Sequence, residues 1–523
     1  MDYFMGIDAG TSGIKALVMD EKGNPVGTGY RECNVTSLHP NWAEQRPEDW
    51  WDACDQAVAQ AAAACGHGRE IRAIGFSGQM QGCTPFDKEM QPDGPSLIWL
   101  DQRSSREARE LNQRLDPAEI LPLTGGYCLP SFWAAKLLWL RRHEPRRFER
   151  IHQVLFAKDY LRYRMTGEIA TDVSDASLTF LLDLNTRTWS PRLFALAGLP
   201  MEIAPRQVLE SQQVAGTLRR ELAERWGMTP GIPVVAGGGD QPVGGVGCGA
   251  VRPGVFGATI GTSGVVFGCC DTPFVDRNNQ GILSTCHSVP GRYDFLGCTL
   301  AAGGSFKWLR DNLFARRKGE LAAQGKDVYD EMTALAATSP AGSEGLCFLP
   351  YLNGESTPHV DADARGVFFG LSYRHGLGDI CRSVMEGVTF SLRDTIQILR
   401  ESGTPVRQVR AMGGGAKSAL WRQIQADIYG AQVVTTNMEE GPAAGAAILA
   451  AVGAGCFASV EEACDRLIRV TSVTDPIPSQ VERYDQYYQT YRRLYPALAQ
   501  LYREQAAIVA QDSRHQEKGE QKA

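Results

Sequence analysis

The sequence predicts an α/β chain built as two related domains with a cleft between them. Three observations carry that expectation. The chain has 523 residues, more than one ordinary hydrophobic core takes up. A Gly-Thr-Ser-Gly turn occurs twice, at Gly10-Thr11-Ser12-Gly13 and at Gly261-Thr262-Ser263-Gly264, each between two apolar runs. Between them lies a passage rich in small residues, from Gly231 to Gly264, which reads as a boundary. The expected division is 1–250, 251–505 and a disordered polar tail over 506–523.

The first half opens as a strand meander. Phe4 to Asp8, Ile14 to Met19 and Val26 to Tyr30 read as strands, separated by turns at Ala9–Gly13 and Asp20–Pro25. Glu48 to Ala64 reads as a helix stopped near Gly66. Ile71 to Phe76 is a further apolar run, closed by Ser77-Gly78-Gln79-Met80-Gln81-Gly82. Leu97 to Leu100 leads into the charged turn Asp101-Gln102-Arg103, and Leu129 to Met201 reads as mainly helical. Pro233 to Ala236 reads as a buried strand running into Gly237-Gly238-Gly239-Asp240.

In the second half Asp379 to Leu399 is the clearest helix. Ile380, Val384, Val388, Leu392 and Ile396 recur every four residues, with Asp379 as N-cap and Gly403 beyond the end. Gly413-Gly414-Gly415-Ala416-Lys417-Ser418 precedes a helix expected from Ala419. The stretch from Tyr484 to Leu501 reads as core, the alternative being the contact of a homodimer.

Composition excludes several classes. Lys and Arg number 53 against 60 Asp and Glu, a net −7 that argues against a nucleic-acid binder. No apolar run reaches the length of a membrane span, and the N-terminus lacks the basic stretch and cleavage site of a signal peptide. The 14 cysteines form no Cys-x-x-Cys pair and read as buried thiols of a cytoplasmic protein. The histidines lack metal-ligand spacing, so no zinc site is expected.

Four constellations are candidates to carry chemistry. In Asp8-x-Gly10-Thr11, with Lys15 beyond, glycine lets backbone N–H groups meet an anion, the hydroxyl adds a donor, and the carboxylate suits Mg²⁺ held through water. The second turn repeats the phosphate-cradling features without the acid, so the two halves are expected to hold one nucleoside triphosphate between them. In Gly237-Gly238-Gly239-Asp240, an aspartate after an apolar strand and three glycines reads as a general base for a hydroxyl proton, or as a helix N-cap. Gly413-Gly414-Gly415 offers a flat backbone for an adenine ring, or a plain strand–helix turn. Walker A and Gly-x-Gly-x-x-Gly patterns are missing, which disfavours P-loop and dinucleotide-binding readings. Gln79-Met80-Gln81 and Trp99 to Arg103 supply polar groups suited to sugar hydroxyls, or simply to loops.

With these residues assembled, the chain resembles the FGGY family of carbohydrate kinases, most closely its xylulokinase branch. Gly366-x-Phe368-x-Gly370-Leu371 with Asp379-Ile380-x-x-Ser383-Val384-Met385-Glu386 is similar to one family signature, and Lys136 to Pro145 to another. His39 to Gln45 and Lys158 to Arg162 are further xylulokinase-like stretches, while Trp133 stands where a small residue or proline is usual.

The resemblance implies two actin-like (ribonuclease H-like) domains, a sugar-binding and catalytic one followed by a nucleotide-binding one. It also implies transfer of the γ-phosphate of ATP to a primary hydroxyl of a pentulose, D-xylulose first. Another ketose or polyol is the alternative, and an actin-like ATPase without a sugar acceptor is a reading from a different class. It makes Asp240 the catalytic base and Asp8 the acid that positions Mg²⁺·ATP. Gly10, Thr11, Lys15, Gly261, Thr262, Gly303, Lys307, Gly414 and Gly415 become nucleotide contacts. Met80, Gln81, Asp101 and Gln241 become substrate contacts. The chain departs from its branch at Gln81, Leu100 and Gln241, where histidine, asparagine and asparagine are usual.

Overall fold

Each half of the chain folds around a seven-stranded sheet. The computed structural model describes residues 1–520 apart from Glu439, with side chains as far as Val509. The strands of the first sheet are β1 (Tyr3–Ala9), β2 (Gly13–Asp20), β3 (Pro25–Glu32), β4 (Ile71–Gly78), β5 (Val214–Thr217), β6 (Pro233–Val235) and β7 (Gly238–Gly239). Their order is β5-β6-β4-β1-β2-β3, with β7 added to the end of β4. In the second sheet β8 (Val255–Ile260), β9 (Gly264–Cys270), β10 (Leu283–Cys286), β11 (Tyr293–Thr299), β12 (Gln408–Gly413), β13 (Gln432–Thr436) and β14 (Val470–Thr474) run in the order β10-β11-β9-β8-β12-β13-β14.

The repeated turn is the visible part of a repeated unit. β1 and β2 form an antiparallel hairpin around the first Gly-Thr-Ser-Gly, and β8 and β9 form one around the second. In both sheets the first hairpin strand has a parallel neighbour that ends in glycine. Ala9 lies opposite Gly78 in one, and Ile260 opposite Gly413 in the other. The apolar runs that enter each turn are buried on both faces, as central strands require.

Helices cover the sheets. The first sheet carries α1 (Pro47–Cys65), whose end at Gly66 takes the left-handed conformation that stops helices. A helical lobe holds α2 (Trp133–His143), α3 (Ala157–Thr166) and α4 (Val173–Ser177), with Trp133, Leu137, Leu140, Phe156 and Phe180 in its core. Short strand pairs interrupt this lobe, which the sequence pattern does not show. Two short Gly/Ala-rich helices cross between the halves: α5 (Asp240–Cys248) packs on β9, and α9 (Gly441–Gly453) packs on β1 and β4. A Cβ on Gly247 would lie 1.8 Å from the Gly441 carbonyl oxygen, and one on Gly6 would lie 1.9 Å from that of Ala443. Glycine alone allows this backbone-to-backbone contact.

Between α5 and α9 in chain order lie α6 (Gly303–Leu313), α7 (Leu377–Glu401) and α8 (Ala419–Tyr429), and α10 (Pro478–Glu520) closes the chain. The four-residue stripe of α7 buries Val384, Val388, Leu392 and Ile396 in the same core as Tyr484, Tyr488 and Tyr491 of α10, whose rings meet Phe390 of α7, so that part of the C-terminal stretch is core. Two expectations need correction. Asp379 is the third residue of α7 instead of its N-cap; its Oδ2 accepts the Gly376 N–H at 2.9 Å and caps the helix from inside. The tail expected to be disordered from residue 506 continues α10 to Glu520, because Gln, Ala, Arg, Glu and Lys are strong helix formers. Residues 521–523 lie outside the described residues.

Candidate active site

Strand register builds the first half of the site. Asp8 at the end of β1 lies opposite Ser77 of β4, and Gly238 of β7 lies on the other side of Ser77. Asp240 follows as the first residue of α5. Two carboxylates are thereby delivered to one edge of the sheet. Burial pushes Asp240 up to about 7, with the nearby Asp8 adding to it and hydrogen bonds from Gln241 opposing it. Burial likewise raises Asp8 to about 6, against the nearby Ser77 hydroxyl and the Lys15 charge. One Asp8 oxygen, Oδ1, is buried and has no hydrogen-bond partner.

The first turn is tied to the loops around it. The Thr11 hydroxyl donates to Gln79 Oε1 at 3.2 Å and accepts from the Trp99 indole at 2.8 Å. Gln45 accepts from Gln79 Nε2 at 2.7 Å and donates to the Thr11 carbonyl at 2.8 Å. Lys15 pairs with Glu440 at 2.5 Å, an ion pair that joins β2 to the start of α9.

The expected substrate loop follows β4. Met80 is buried against Gly239, where a Cβ would come within 2.6 Å of the Met80 side chain. Gln81 takes a left-handed backbone (φ +67°), rare for a residue with a side chain. Its carbonyl accepts from the buried ammonium of Lys136 at 2.9 Å, as do those of Leu97 and Ile98. Trp133 donates to the Gly82 carbonyl at 2.6 Å, so the larger ring at this position supports the same loop. Asp101 takes a different place from the one expected. Its carboxylate is fully buried and accepts from the Ala43 N–H at 2.7 Å and from Arg103, which anchors the loop.

The second half of the site gathers around Ile260. Thr262 accepts from the N–H groups of Ala302 and Gly304 at 3.0 Å each, which sets the start of α6 beside the second turn. A Cβ on Gly303 would lie 2.5 Å from the Gly261 carbonyl oxygen, and one on Gly415 would lie 2.7 Å from Ile260 Cβ. Gly261, Thr262, Gly303, Gly414 and Gly415 are thus neighbours. Lys307 is exposed one turn into α6, with no ion pair among the described residues. Among the described residues no group of three or more His, Cys, Asp or Glu side chains forms a metal cage. Two carboxylates, one with an unpartnered buried oxygen, suit a cation that also takes phosphate and water oxygens.

Residues 3–247 match the N-terminal domain of the FGGY family of carbohydrate kinases, and residues 257–454 match its C-terminal domain. The chain belongs to the FGGY carbohydrate kinases. The kinase is 37% identical to the xylulose kinase of Escherichia coli (strain K12) over 95% of this chain and 99% of that one. The crystal structure of a "xyloylose kinase" from Brucella ovis superposes with a TM-score of 0.86 at 36% identity, covering 95% of this chain and all of that one. A gluconate kinase from Lactobacillus acidophilus gives a TM-score of 0.87 at 26% identity, covering 96% and 99%. As members of this family act on sugar hydroxyls with ATP, the protein is a phosphotransferase with the actin-like ATPase fold.

Sequence reasoning about this FGGY kinase missed three supporting groups. Gln45 lies in a stretch noted only for its resemblance, yet it joins the first turn to the substrate loop. Lys136 and Ser174 face carbonyl and amide groups of residues far away in the chain, and only the fold brings them there.

Proposed function

We propose that this FGGY kinase transfers the γ-phosphoryl group of ATP to the primary hydroxyl of D-xylulose, giving D-xylulose 5-phosphate. The observation that carries the reaction type is the half-buried Asp240 beside Asp8, at the sheet edge where the first glycine turn begins. The sugar rests on the curated relatives, which are xylulose kinases. Residues 1–250 form the sugar-binding and catalytic domain and 251–505 the nucleotide-binding domain.

Asp240 accepts the proton of the attacking hydroxyl. Its raised pKa makes it a stronger base than an exposed carboxylate while leaving it ionised above about pH 7. Gly10, Thr11 and Lys15 on one side, and Gly261, Thr262, Gly303 and Lys307 on the other, hold the phosphates. Gly414 and Gly415 lie along the adenosine. Asp8 would hold Mg²⁺, which when bound would neutralise phosphate charge. Met80, Gln81 and Gln241 line the sugar side, and Asp101 anchors the separate 99–103 loop through Arg103 and the Ala43 amide. The fourteen thiols, all free, support a cytoplasmic site of action. No helix among the described residues is long and apolar enough to cross a membrane.

Gln81 favours keeping a second sugar in view, since a pocket built for one hydroxyl pattern rejects another. ATP consumption with Mg²⁺ against D-xylulose, L-xylulose, D-ribulose, xylitol, erythritol, gluconate and glycerol tests the reading. Preference for D-xylulose is the expected result. Turnover with another member of the panel alone would reassign the sugar, and ATP hydrolysis indifferent to all of them would overturn the kinase reading.

A further inference from the structure

Five charged side chains are buried under the strand that leads to Asp240. Lys158 Nζ lies 2.7 Å from Asp159, 2.8 Å from Asp172 and 3.1 Å from Asp175, with all four side chains fully buried. Arg162 pairs with Asp159 at 2.9 Å and donates to the Ala236 carbonyl at 2.8 Å. Three acids face two cations in a dry site, and burial pushes Asp175 well above the usual carboxylate range. Such a cluster is costly to bury and makes weak material for stability alone.

The cluster is directed at one backbone group. Asp172 gives Oδ1 to Lys158 and Oδ2 to Ser174, whose hydroxyl donates at 2.5 Å and whose N–H donates at 2.7 Å. The same Ser174 hydroxyl oxygen accepts the Gly239 N–H at 3.0 Å. Gly239 immediately precedes Asp240 and is the N-cap of α5. Its neighbour Gly238 has no room for a side chain: a Cβ there would lie 2.7 Å from the hydroxyls of both Ser174 and Ser288. The strand is therefore held at Ala236 by Arg162 and at Gly239 by Ser174, on either side of two further glycines. Glycines are the residues least able to hold a fixed backbone unaided.

We propose that the buried Lys158–Asp172–Ser174 chain is the positioning element for Asp240, fixing the Gly239 amide so that the carboxylate meets the sugar hydroxyl. Ser174 is fully buried and acts through Gly239. The proposal rests on the reading of Asp240 as the base.

The test compares Ser174→Ala, Ser174→Thr, Asp172→Asn and Asp240→Asn in the full chain, with D-xylulose (or the panel sugar that turns over) and Mg²⁺·ATP. Ser174→Ala should lower kcat about tenfold, leave both KM values within about twofold, and leave the midpoint of thermal unfolding nearly unchanged. Ser174→Thr keeps the hydroxyl and should hold kcat within about threefold of the parent. Asp172→Asn keeps an acceptor of the same shape and should fall between them. Should Ser174→Ala fail to fold, Asp172→Asn decides: unchanged kcat there overturns the proposal. Normal kcat in Ser174→Ala, with Asp240→Asn inactive, overturns the positioning role and leaves the base standing. Normal kcat in Asp240→Asn overturns the reading of the base instead.

Discussion

The Trp99 indole donates a 2.8 Å hydrogen bond to the Thr11 hydroxyl, tying the expected sugar loop to the expected phosphate turn. The hydroxyl proton is directed at Gln79, so the oxygen is fixed between two loops separated by 88 and 68 residues of chain. Trp99→Phe keeps the ring and removes the donor. It should lower kcat/KM for ATP about tenfold and also lower that for the sugar, although Trp99 belongs to the expected sugar loop. Adding it to Thr11→Val should bring little further loss, since Thr11→Val already removes the acceptor of the Trp99 bond. Full additivity in that double-mutant cycle would show that the two loops act separately.

Asp240→Asn should lower kcat about 10²–10⁴-fold while ATP still binds. Rates and nucleotide titrations on the same preparation check this. The variant should also be the more stable protein. The folded-state pKa of Asp240 is raised, so its ionisation works against the fold increasingly as pH rises from the unfolded value, about 4, to about 7. Removing the charge should therefore raise the unfolding midpoint more at pH 8 than at pH 5, and an equal gain at both would contradict the assigned shift.

The pH profile follows from the same group. A base raised to about 7 must lose its proton before it can accept one. In the free enzyme kcat/KM should climb about tenfold per pH unit below that value and level off above it. A flat profile between pH 5 and 8 would leave no role for a carboxylate shifted this far.

Gln81→His should move sugar preference toward D-xylulose, because the resemblance to the xylulokinase branch places Gln81 where histidine is expected and its left-handed backbone is fixed by Lys136. Ratios of kcat/KM across the sugar panel measure the change. An unchanged ratio would remove Gln81 from the specificity residues.

Much of the architecture was legible because it is local. The strands β1 to β4 and the helix α7 follow from apolar runs and four-residue spacing, and the two Gly-Thr-Ser-Gly turns announce two related units. Asp240 was readable for the same reason, as an acid after a strand and three glycines. What stayed hidden depends on distant partners. Asp101 looks like an open polar residue in sequence, and only the fold brings the Ala43 amide and Arg103 to its oxygens. Gln45 is unremarkable until Gln79 and Thr11 meet it. The N-cap expected at Asp379 lies three positions earlier, at Gly376, because Gly376 and Leu377 carry no start signal of their own.

Gly247→Ala tests the contact between the halves. With only 1.8 Å between a new Cβ and the Gly441 carbonyl, the helices must separate, and the change should cost about 2–4 kcal/mol. Chemical denaturation would measure it. A loss under about 0.5 kcal/mol would mean that α5 and α9 part easily.

The crossing of α5 and α9 also governs how the gene can be divided. A cut near residue 250 would leave the first fragment with a sheet face lined by Gly6 and Gly75, whose natural cover, Ala443 and Ala446, is encoded almost two hundred codons downstream. The second fragment would carry an alanine-rich helix with its partner surface missing. Two fragments made separately would each display the apolar face the other was meant to hide, so neither half is an independent building block for fusion or recombination, and the two are inherited as one piece.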